Sequence, residues 1–267
     1  MFKNMNFSCY PMINTNNNDI FGYLCDTSSK KNIETFEDTE DTEKNSLLFK
    51  LAKIHDKLKI KYGTLNDELP EQLIALKYLT GNEKVLEIGG NIGRNSLLIG
   101  YILNQNNNNN LVSLESDADV AKKLVENRDL NKLDFKIEAS ALSNKKMIQK
   151  IGDADLGGST IVSDIVPEGY MSVNTITFNQ LLLKYGINFD TLILDCEGAF
   201  YYILMDMPEI LNNIKLILVE NDYLDIKHKK YVDKVLKSNN FVRVHNEACD
   251  CWGDKLYPDN FYEVWSK

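Results

Sequence analysis

Cysteine, proline and histidine are scarce in this sequence, with five, five and three residues of each type among 267. An odd number of cysteines in a chain long enough to bury a sizeable core predicts free thiols in a reducing compartment. The close pair Cys249 and Cys251 has neither the spacing of a zinc site nor that of a thioredoxin-like motif. The three histidines are scattered, which excludes the H-E-x-x-H pattern of zinc proteases.

Long apolar runs and an excess of positive charge are also missing. No segment approaches the roughly 18 consecutive apolar residues of a membrane helix, and the polar start lacks the apolar stretch of a signal peptide. Thirty Lys and Arg against 39 Asp and Glu give a net charge of −9, which repels a phosphate backbone. We therefore expect a cytoplasmic protein that acts on a small molecule, with no nucleic-acid partner and no membrane span.

The chain divides into three predicted regions. Residues 1–45 are rich in Asn, Ser, Thr and acidic side chains without sustained periodicity, which predicts a polar tail or arm. Residues 46–82 carry apolar side chains at helical spacing from Leu47 to Leu58, and then a second helical pattern with Pro70 in its first turn. Residues 83–267 change to short apolar runs and form the predicted main domain.

The main domain alternates apolar runs with helical stretches, which is typical of a parallel sheet joined by crossover helices. The last two runs have only a loop between them, so they should form an antiparallel hairpin. This pattern predicts an α/β fold with a seven-stranded, mostly parallel sheet, a C-terminal antiparallel hairpin and an N-terminal helical extension. The predicted strands are residues 85–88, 111–115, 135–138, 191–195, 215–220, 241–245 and 261–265.

The first of these strands runs into a glycine-rich turn, Gly89 to Gly93, and then into a helix. Glycines at such a turn let a ligand approach the backbone and expose the N–H groups of the helix N-terminus. A dinucleotide fingerprint is not matched, because Asn91 and Arg94 occupy the positions of its second and third glycines. The stretch from Gly152 to Ser159 lacks the lysine of a phosphate loop. The alternative is a tight strand-to-helix turn without a ligand.

An acidic residue, Glu115, ends the second strand, at the distance from the glycine turn that is expected for a strand–helix–strand unit. A carboxylate at this place, with Ser116 beside it, can accept hydrogen bonds from both hydroxyls of a bound ribose. The alternative is a charge that stabilises the N-terminus of the next helix. Together, the glycine turn and Glu115 favour a nucleoside ligand.

Three segments, in the same order, resemble motifs of the FkbM family of S-adenosylmethionine (SAM) dependent methyltransferases. The glycine turn is similar to D-x-G-A-N-x-G, residues 173–182 resemble a segment t-i-t-L-d-d-l-l, and Asp195, Glu197 and Gly198 match D-x-E-G-a-E. The resemblance implies a Rossmann-like class I methyltransferase fold with SAM as the cofactor, and it places Ser140 and Ala141 beside the adenine. The implied cofactor site is Glu87, Gly89, Gly90, Asn91, Gly93, Glu115, Ser116, Ser140 and Ala141.

The chain departs from the family pattern at three positions. Glu87 replaces the family's Asp with the same charge, and Gly90 replaces its Ala with a smaller residue. Phe200 stands where D-x-E-G-a-E has its final acid, so any role of that acid is absent here.

The resemblance implies methyl transfer to oxygen, most often to a hydroxyl of a sugar or a secondary metabolite. A neutral alcohol is a poor nucleophile, so a carboxylate would serve as a general base or as a ligand for a divalent ion. Asp195 and Glu197 follow the fourth strand, and Glu220 and Asn221 the fifth, which places them at the edge of the glycine turn. An acid followed by an acid–Asn pair also resembles magnesium-dependent catechol-type methyltransferases. Alternatively, Asp195 and Glu197 cap the following helix.

We therefore predict a SAM-dependent O-methyltransferase that acts on a hydroxyl of a sugar or glycan-related molecule. Asp195, Glu197, Glu220 and Asn221 are its predicted catalytic residues, and magnesium is a candidate second cofactor. Two alternatives stay open. One is an NAD-type oxidoreductase, which the missing glycines disfavour; the other is a non-catalytic SAM-binding or interaction module with a degenerate site, which Phe200 supports.

Overall fold

The structure is a computed structural model that describes residues 9–13, 20–25, 38–151, 160–249 and 260–267, with side chains from residue 42 onwards. The chain forms two compact units, residues 1–43 and 44–267. In the first unit, β1 (Cys9–Ile13) and β2 (Ile20–Cys25) pair antiparallel. The sequence predicted a polar arm here and indicated no strand, because short strands between polar stretches give little periodicity to detect.

A helical segment precedes the main sheet, as expected, but it begins earlier than its apolar pattern indicates. Its first residues are acidic and fall inside the predicted polar arm; such side chains stabilise a helix N-terminus without adding an apolar period. Pro70 lies in the first turn of the second helix, where its missing N–H has no intrahelical partner to lose. The elements are α1 (Asp38–His55), a 3₁₀ helix (Leu65–Glu68) and α2 (Leu69–Tyr78).

Apolar and ionic contacts attach this extension to the domain that follows. Leu51 and Leu58 are buried in the core on one face of the main sheet. Arg94, just after the glycine turn, donates to a Glu68 carboxylate oxygen at 3.0 Å and to the Thr64 carbonyl at 3.2 Å. The helical extension therefore packs beside the glycine turn.

The first half of the main domain is a strand–helix–strand–helix–strand unit. The second helix is capped by Asp117, whose carboxylate accepts the N–H groups of Asp119 and Val120 at 2.8 and 3.1 Å. These elements are β3 (Val85–Ile88), α3 (Arg94–Asn104), β4 (Leu111–Leu114), α4 (Ala118–Leu130) and β5 (Lys136–Glu138).

Between β5 and the next strand of the main sheet, the chain forms short strands that the sequence did not indicate. They are two to four residues long, too short for an alternating pattern to stand out. They are β6 (Ala141–Leu142), β7 (Met147–Lys150), β8 (Thr160–Val162), β9 (Tyr170–Val173) and β10 (Thr175–Ile176). β6 pairs parallel with β10, and β7 lies between β8 and β9 in an antiparallel three-stranded sheet.

The second half of the main domain completes the large sheet. A capping box between Thr177 and Gln180 starts its first helix. The elements are α5 (Phe178–Tyr185), β11 (Thr191–Leu194), α6 (Phe200–Asp206), a 3₁₀ helix (Pro208–Leu211), β12 (Leu216–Glu220), α7 (Ile226–Ser238), β13 (Val242–Glu247) and β14 (Tyr262–Ser266).

The strand order confirms the predicted fold class. The seven-stranded sheet has the order β13-β14-β12-β11-β3-β4-β5. The five strands from β5 to β12 run parallel, whereas β14 is antiparallel to both β12 and β13. With the strands numbered by their sequence within this sheet, the order is 3-2-1-4-5-7-6, which is the order of the Rossmann-like class I methyltransferase fold. The predicted C-terminal hairpin is present.

Both faces of the central strands are buried, which explains their unbroken apolar sequences. Leu86 and Leu192 join one core cluster, and Val85 and Ile193 join the other. All four residues of β3, β4 and β11 are buried. These strands fix the positions of the loops at their carboxyl ends.

Two further expectations concern the membrane and the thiols. Within the described part of the chain, no helix combines the length and the apolar character that crossing a membrane requires.

Cys196 is a free thiol, but Cys249 is disulfide-bonded, so the prediction of free cysteines is wrong for Cys249. Chain length shows only that a disulfide is not needed for stability; it does not tell whether two thiols meet.

Candidate functional site

The glycine turn after β3 passes so close to the residue after β11 that one of its glycines leaves no room for a side chain. Gly89 has φ 95°, and a Cβ atom there would lie 1.6 Å from the carbonyl oxygen of Asp195. Gly93 has φ 97°, and its Cβ would lie 2.3 Å from Leu124 Cδ1. The turn therefore needs glycine both for its backbone conformation and for its packing.

We expect Gly89→Ala to lower the free energy of unfolding by about 2 kcal/mol or more, because it combines strain with a backbone clash. Gly186 is the matched control, since its φ is 63° and nothing lies within 4 Å of its Cβ position. Gly186→Ala should cost about 1 kcal/mol, from the left-handed conformation alone. Urea denaturation measures both variants, and equal losses would contradict the clash.

Glu115 connects the glycine turn to the next helix. One of its carboxylate oxygens accepts the backbone N–H of Asn91 at 2.8 Å, and the other accepts that of Asp117 at 2.8 Å. Burial raises the pKa of Glu115, and these two N–H donors oppose that rise. Its carboxylate is therefore oriented by the backbone of two loops.

A cavity of about 440 Å³ opens at this edge of the sheet. Loops after β3, β4, β5 and β11 line it, together with α6 and the small sheet that contains β7 and β8. Eight of the predicted site residues line this cavity: Gly89, Asn91, Glu115, Ser116, Ser140, Ala141, Asp195 and Glu197. Residues from the loops after four strands thus line a single cavity.

The structure does not place five predicted residues on the cavity wall: Glu87, Gly90, Gly93, Glu220 and Asn221. Gly90 and Gly93 lie in the turn where added Cβ atoms would meet Ser113 and Leu124. A Cβ at Gly90 would lie 2.1 Å from Ser113 Oγ, so the turn packs tightly against β4.

Glu87 is buried among its neighbours rather than beside the cavity. It is 2% exposed, accepts a hydrogen bond from Ser96 Oγ, and pairs in register with Ser113 on β4. Burial raises the pKa of Glu87 to about 7. The charges of Glu68 and Glu115 also raise it, whereas the hydrogen bonds from Ser113 and Ser96 lower it. With this raised pKa, the Glu87 carboxyl group retains its proton to near-neutral pH.

This raised pKa predicts how stability depends on pH. The folded state holds the Glu87 proton up to about pH 7, whereas the unfolded chain releases it near 4.5. The free energy of unfolding should therefore fall as pH rises from about 5 to 7, by up to about 1.4 kcal/mol per pH unit. Glu87→Gln should flatten this part of the profile in urea denaturation. An unchanged slope would show that Glu87 ionises normally.

Carboxylates cluster behind the Asp195 end of the cavity. Asp195, Glu220 and Asp222 each offer an oxygen, and these atoms all lie within 4.8 Å of one another. Burial raises the pKa of Asp195 well above its ordinary value, and the neighbouring acids raise it further. Oxygen donors at such spacing could hold a hard divalent cation such as Mg²⁺.

The helical extension adds an acid that the sequence analysis did not include. Glu71 of α2 is hydrogen-bonded to Glu220. Burial raises the pKa of both carboxyl groups; Glu71 raises the pKa of Glu220 further, whereas the hydrogen bond with Glu220 lowers that of Glu71. The apolar periodicity of α2 identifies its packed face but does not show that one of its acids faces the sheet edge. Asp222 was also outside the predicted set, although it follows Glu220 and Asn221 directly.

Asn221 has a packing role in this structure. Its side-chain N–H donates to the Asn260 carbonyl at 2.8 Å, and its backbone N–H donates to the Phe261 carbonyl at 2.8 Å. It therefore holds the chain before β14 against the end of β12. Asn221 directly follows β12, as the sequence indicated, but it does not line the cavity in which a catalytic residue was expected.

The helix-capping alternative for Asp195 and Glu197 does not fit the start of α6. The N-cap residue is Ala199, and no side chain caps that helix. Phe200 is 1% exposed and packs in the core beside the sheet. The position of the missing family acid is thus taken by a core residue.

No protein-family model and no curated protein matches the chain. Solved structures do, among them a protein in the NADB-Rossmann superfamily from Streptococcus agalactiae, with 12% identity over 73% of this chain and 67% of that one, TM-score 0.44. An O-methyltransferase from Bacillus cereus in complex with SAH has 12% identity over 86% and 93%, TM-score 0.47. A ribosomal protein L11 methylase from Lactobacillus delbrueckii subsp. bulgaricus has 9% identity over 78% and 80%, TM-score 0.44. Similarities this distant do not indicate what this chain binds.

Proposed function

We propose that the chain is a SAM-dependent methyltransferase. The observation that carries the proposal is the Glu115 carboxylate on the cavity wall, held by N–H groups of the glycine turn and of the next helix start. Each carboxylate oxygen has two lone pairs, so the oxygen that accepts from Asn91 retains capacity for a further donor, and the other does so when the long 3.5 Å contact from Ser116 Oγ gives way. The two hydroxyls of a ribose supply such donors, in agreement with the role predicted for Glu115.

Strand order gives the cofactor its direction. β11, β3, β4 and β5 lie side by side, about 4.8 Å apart from strand to strand. With the ribose at Glu115 after β4, the adenine extends towards Ser140 and Ala141 after β5. The methionine part extends towards Gly89 after β3, and the methyl group towards Asp195 after β11. An elongated cofactor thereby spans the four loops that line the cavity.

The finer proposal is methyl transfer to a hydroxyl, as the FkbM resemblance implies. The acceptor oxygen attacks the methyl carbon as the carbon–sulfur bond breaks; the electron pair stays on sulfur, giving S-adenosylhomocysteine (SAH) and a methyl ether. The proton of the hydroxyl passes to the Asp195 carboxylate. Its burial makes that carboxylate a stronger base when ionised, which suits the weak acidity of an alcohol.

A cation is the second candidate component. Asp195, Glu220 and Asp222 form a hard oxygen donor set of the kind that binds Mg²⁺, and a cation would offset the mutual repulsion of these partly buried acids. When bound, such an ion would lower the pKa of an acceptor hydroxyl. The chain's own carboxylates would hold it, with Glu71 next to Glu220.

For the acceptor, we propose a sugar or glycan-related hydroxyl. The experiment is incubation of the protein with isotopically labelled SAM and a panel of glycans and nucleotide-sugars, followed by mass spectrometry. A gain of one labelled methyl group on a hydroxyl supports the proposal. Methylation of a nitrogen, or of RNA or protein added to parallel reactions, would keep the methyltransferase proposal and overturn the acceptor class.

A further inference from the structure

Gln149, in the middle of β7, is one of the residues that line the cavity, and its side chain is buried with one unsatisfied polar atom. It is 1% exposed, and its Oε1 accepts no hydrogen bond. A buried carbonyl oxygen without a donor costs about 1–3 kcal/mol. Such a group in a cavity wall indicates a ligand that supplies the donor.

The surroundings of Gln149 suit a flat, largely apolar ligand. Leu142, Met147 and Val162 line the same cavity, and Met147 shares the Gln149 face of β7. Lys145 and Asp206, two charged residues on the same cavity wall, are paired with each other: Lys145 Nζ lies 2.6 Å from an Asp206 carboxylate oxygen. Among the described residues, the Gln149 amide and the Ser143 and Thr160 hydroxyls are the neutral polar groups of this wall, and the amide is the one with a buried unsatisfied atom.

The chain path connects this amide to the loop after β5, at the proposed adenine end of the cavity. β7 follows β5 through β6, and β5 is the end strand of the large sheet, three places from β11. Asp195, at the proposed reaction centre, follows β11. Ser140 and Ala141, beside the proposed adenine position, lie between β5 and β7 in the chain, and Ala141 begins β6.

We propose that Gln149 recognises the amino edge of the cofactor's adenine, its Oε1 accepting a hydrogen bond from the exocyclic amine. This inference rests on the proposed function. A glutamine amide offers an acceptor and a donor side by side, which matches the donor and acceptor of an adenine edge. Gln149 would then be a specificity residue for the cofactor, contributed by the small sheet that the nucleotide fold itself does not contain.

The test compares two ligands on three proteins by calorimetry. The ligands are SAH and its purine analogue without the 6-amino group, and the proteins are wild type, Gln149→Met and Gln105→Met. Methionine has a similar length without the amide, and Gln105 is an exposed control outside the cavity. Thermal unfolding shows whether each variant folds. If Gln149→Met does not fold, Gln149→Asn replaces it, because the shorter asparagine amide does not reach the exocyclic amine of the adenine.

We expect Gln149→Met to weaken SAH about tenfold and the deaminated analogue less than about twofold, and Gln105→Met to change neither. Wild type should bind the analogue about tenfold more weakly than SAH. Unchanged SAH affinity in Gln149→Met, or an equal loss for both ligands, would overturn the inference and leave the SAM site intact. Absence of SAH binding by wild type overturns the proposed function itself, and the inference with it.

Discussion

Asp195→Asn should lower methyl transfer by about 100-fold or more while SAH affinity changes little. The exchange keeps the size of the side chain and removes the carboxyl group, and with it the negative charge of the ionised form. That charge either accepts the acceptor's proton or binds a cation, and both roles disappear together. The measurement is the rate of labelled product formation on an acceptor found by mass spectrometry, with SAH affinity from calorimetry.

Asp119→Asn is the matched control, because Asp119 is an exposed residue of α4 whose carboxylate is paired with Lys122. It should leave the rate unchanged. Chelation then separates the two roles of Asp195. Activity lost with EDTA and restored by Mg²⁺ indicates a cation at the carboxylate cluster, whereas unaffected activity indicates a general base. Full turnover by Asp195→Asn would remove this residue from the chemistry.

Glu115→Ala should weaken SAM binding by about 1.5–3 kcal/mol, which corresponds to about tenfold to 150-fold. The variant removes the two proposed ribose contacts and also leaves the N–H groups of Asn91 and Asp117 without their partner. Glu115→Gln retains an acceptor at the same place and should lose less. Calorimetry with SAM measures both variants.

The control for this prediction is Glu126→Ala on the exposed side of α4, where the carboxylate contacts Lys61. It changes the net charge equally but lies outside the cavity, so SAM affinity should not change. If Glu115→Ala bound SAM as tightly as wild type, Glu115 would be a charge that stabilises the N-terminus of the next helix, which is the alternative interpretation of the sequence.

The large sheet was predictable because each central strand is buried on both faces. A strand such as β3 or β11 must then be apolar throughout, and an unbroken apolar run is readable from sequence. The positions of the strand ends were predictable for a second reason. Glu115 and Asp195 could be placed on one edge because parallel strands end together, and both line the cavity.

Other parts depend on contacts that leave no local pattern. Glu87 alternates with Leu86 and Ile88 in β3, so its side chain faces Ser96 rather than the cavity, although its motif position suggested the ligand. Gln149 stands in a strand of four residues, and Glu71 is one acid on a helix identified by its apolar side chains. Their importance depends on tertiary neighbours, which spacing in the sequence does not specify.

Binding of SAH to the wild-type chain, with NAD⁺ in a parallel titration, tests the central claim most directly. The proposed site predicts one SAH bound per chain and no binding of NAD⁺, because the glycine turn lacks the second and third glycines of a dinucleotide fingerprint. A chain that binds neither ligand, or binds NAD⁺ in place of SAH, would contradict the assignment of the cavity at Glu115.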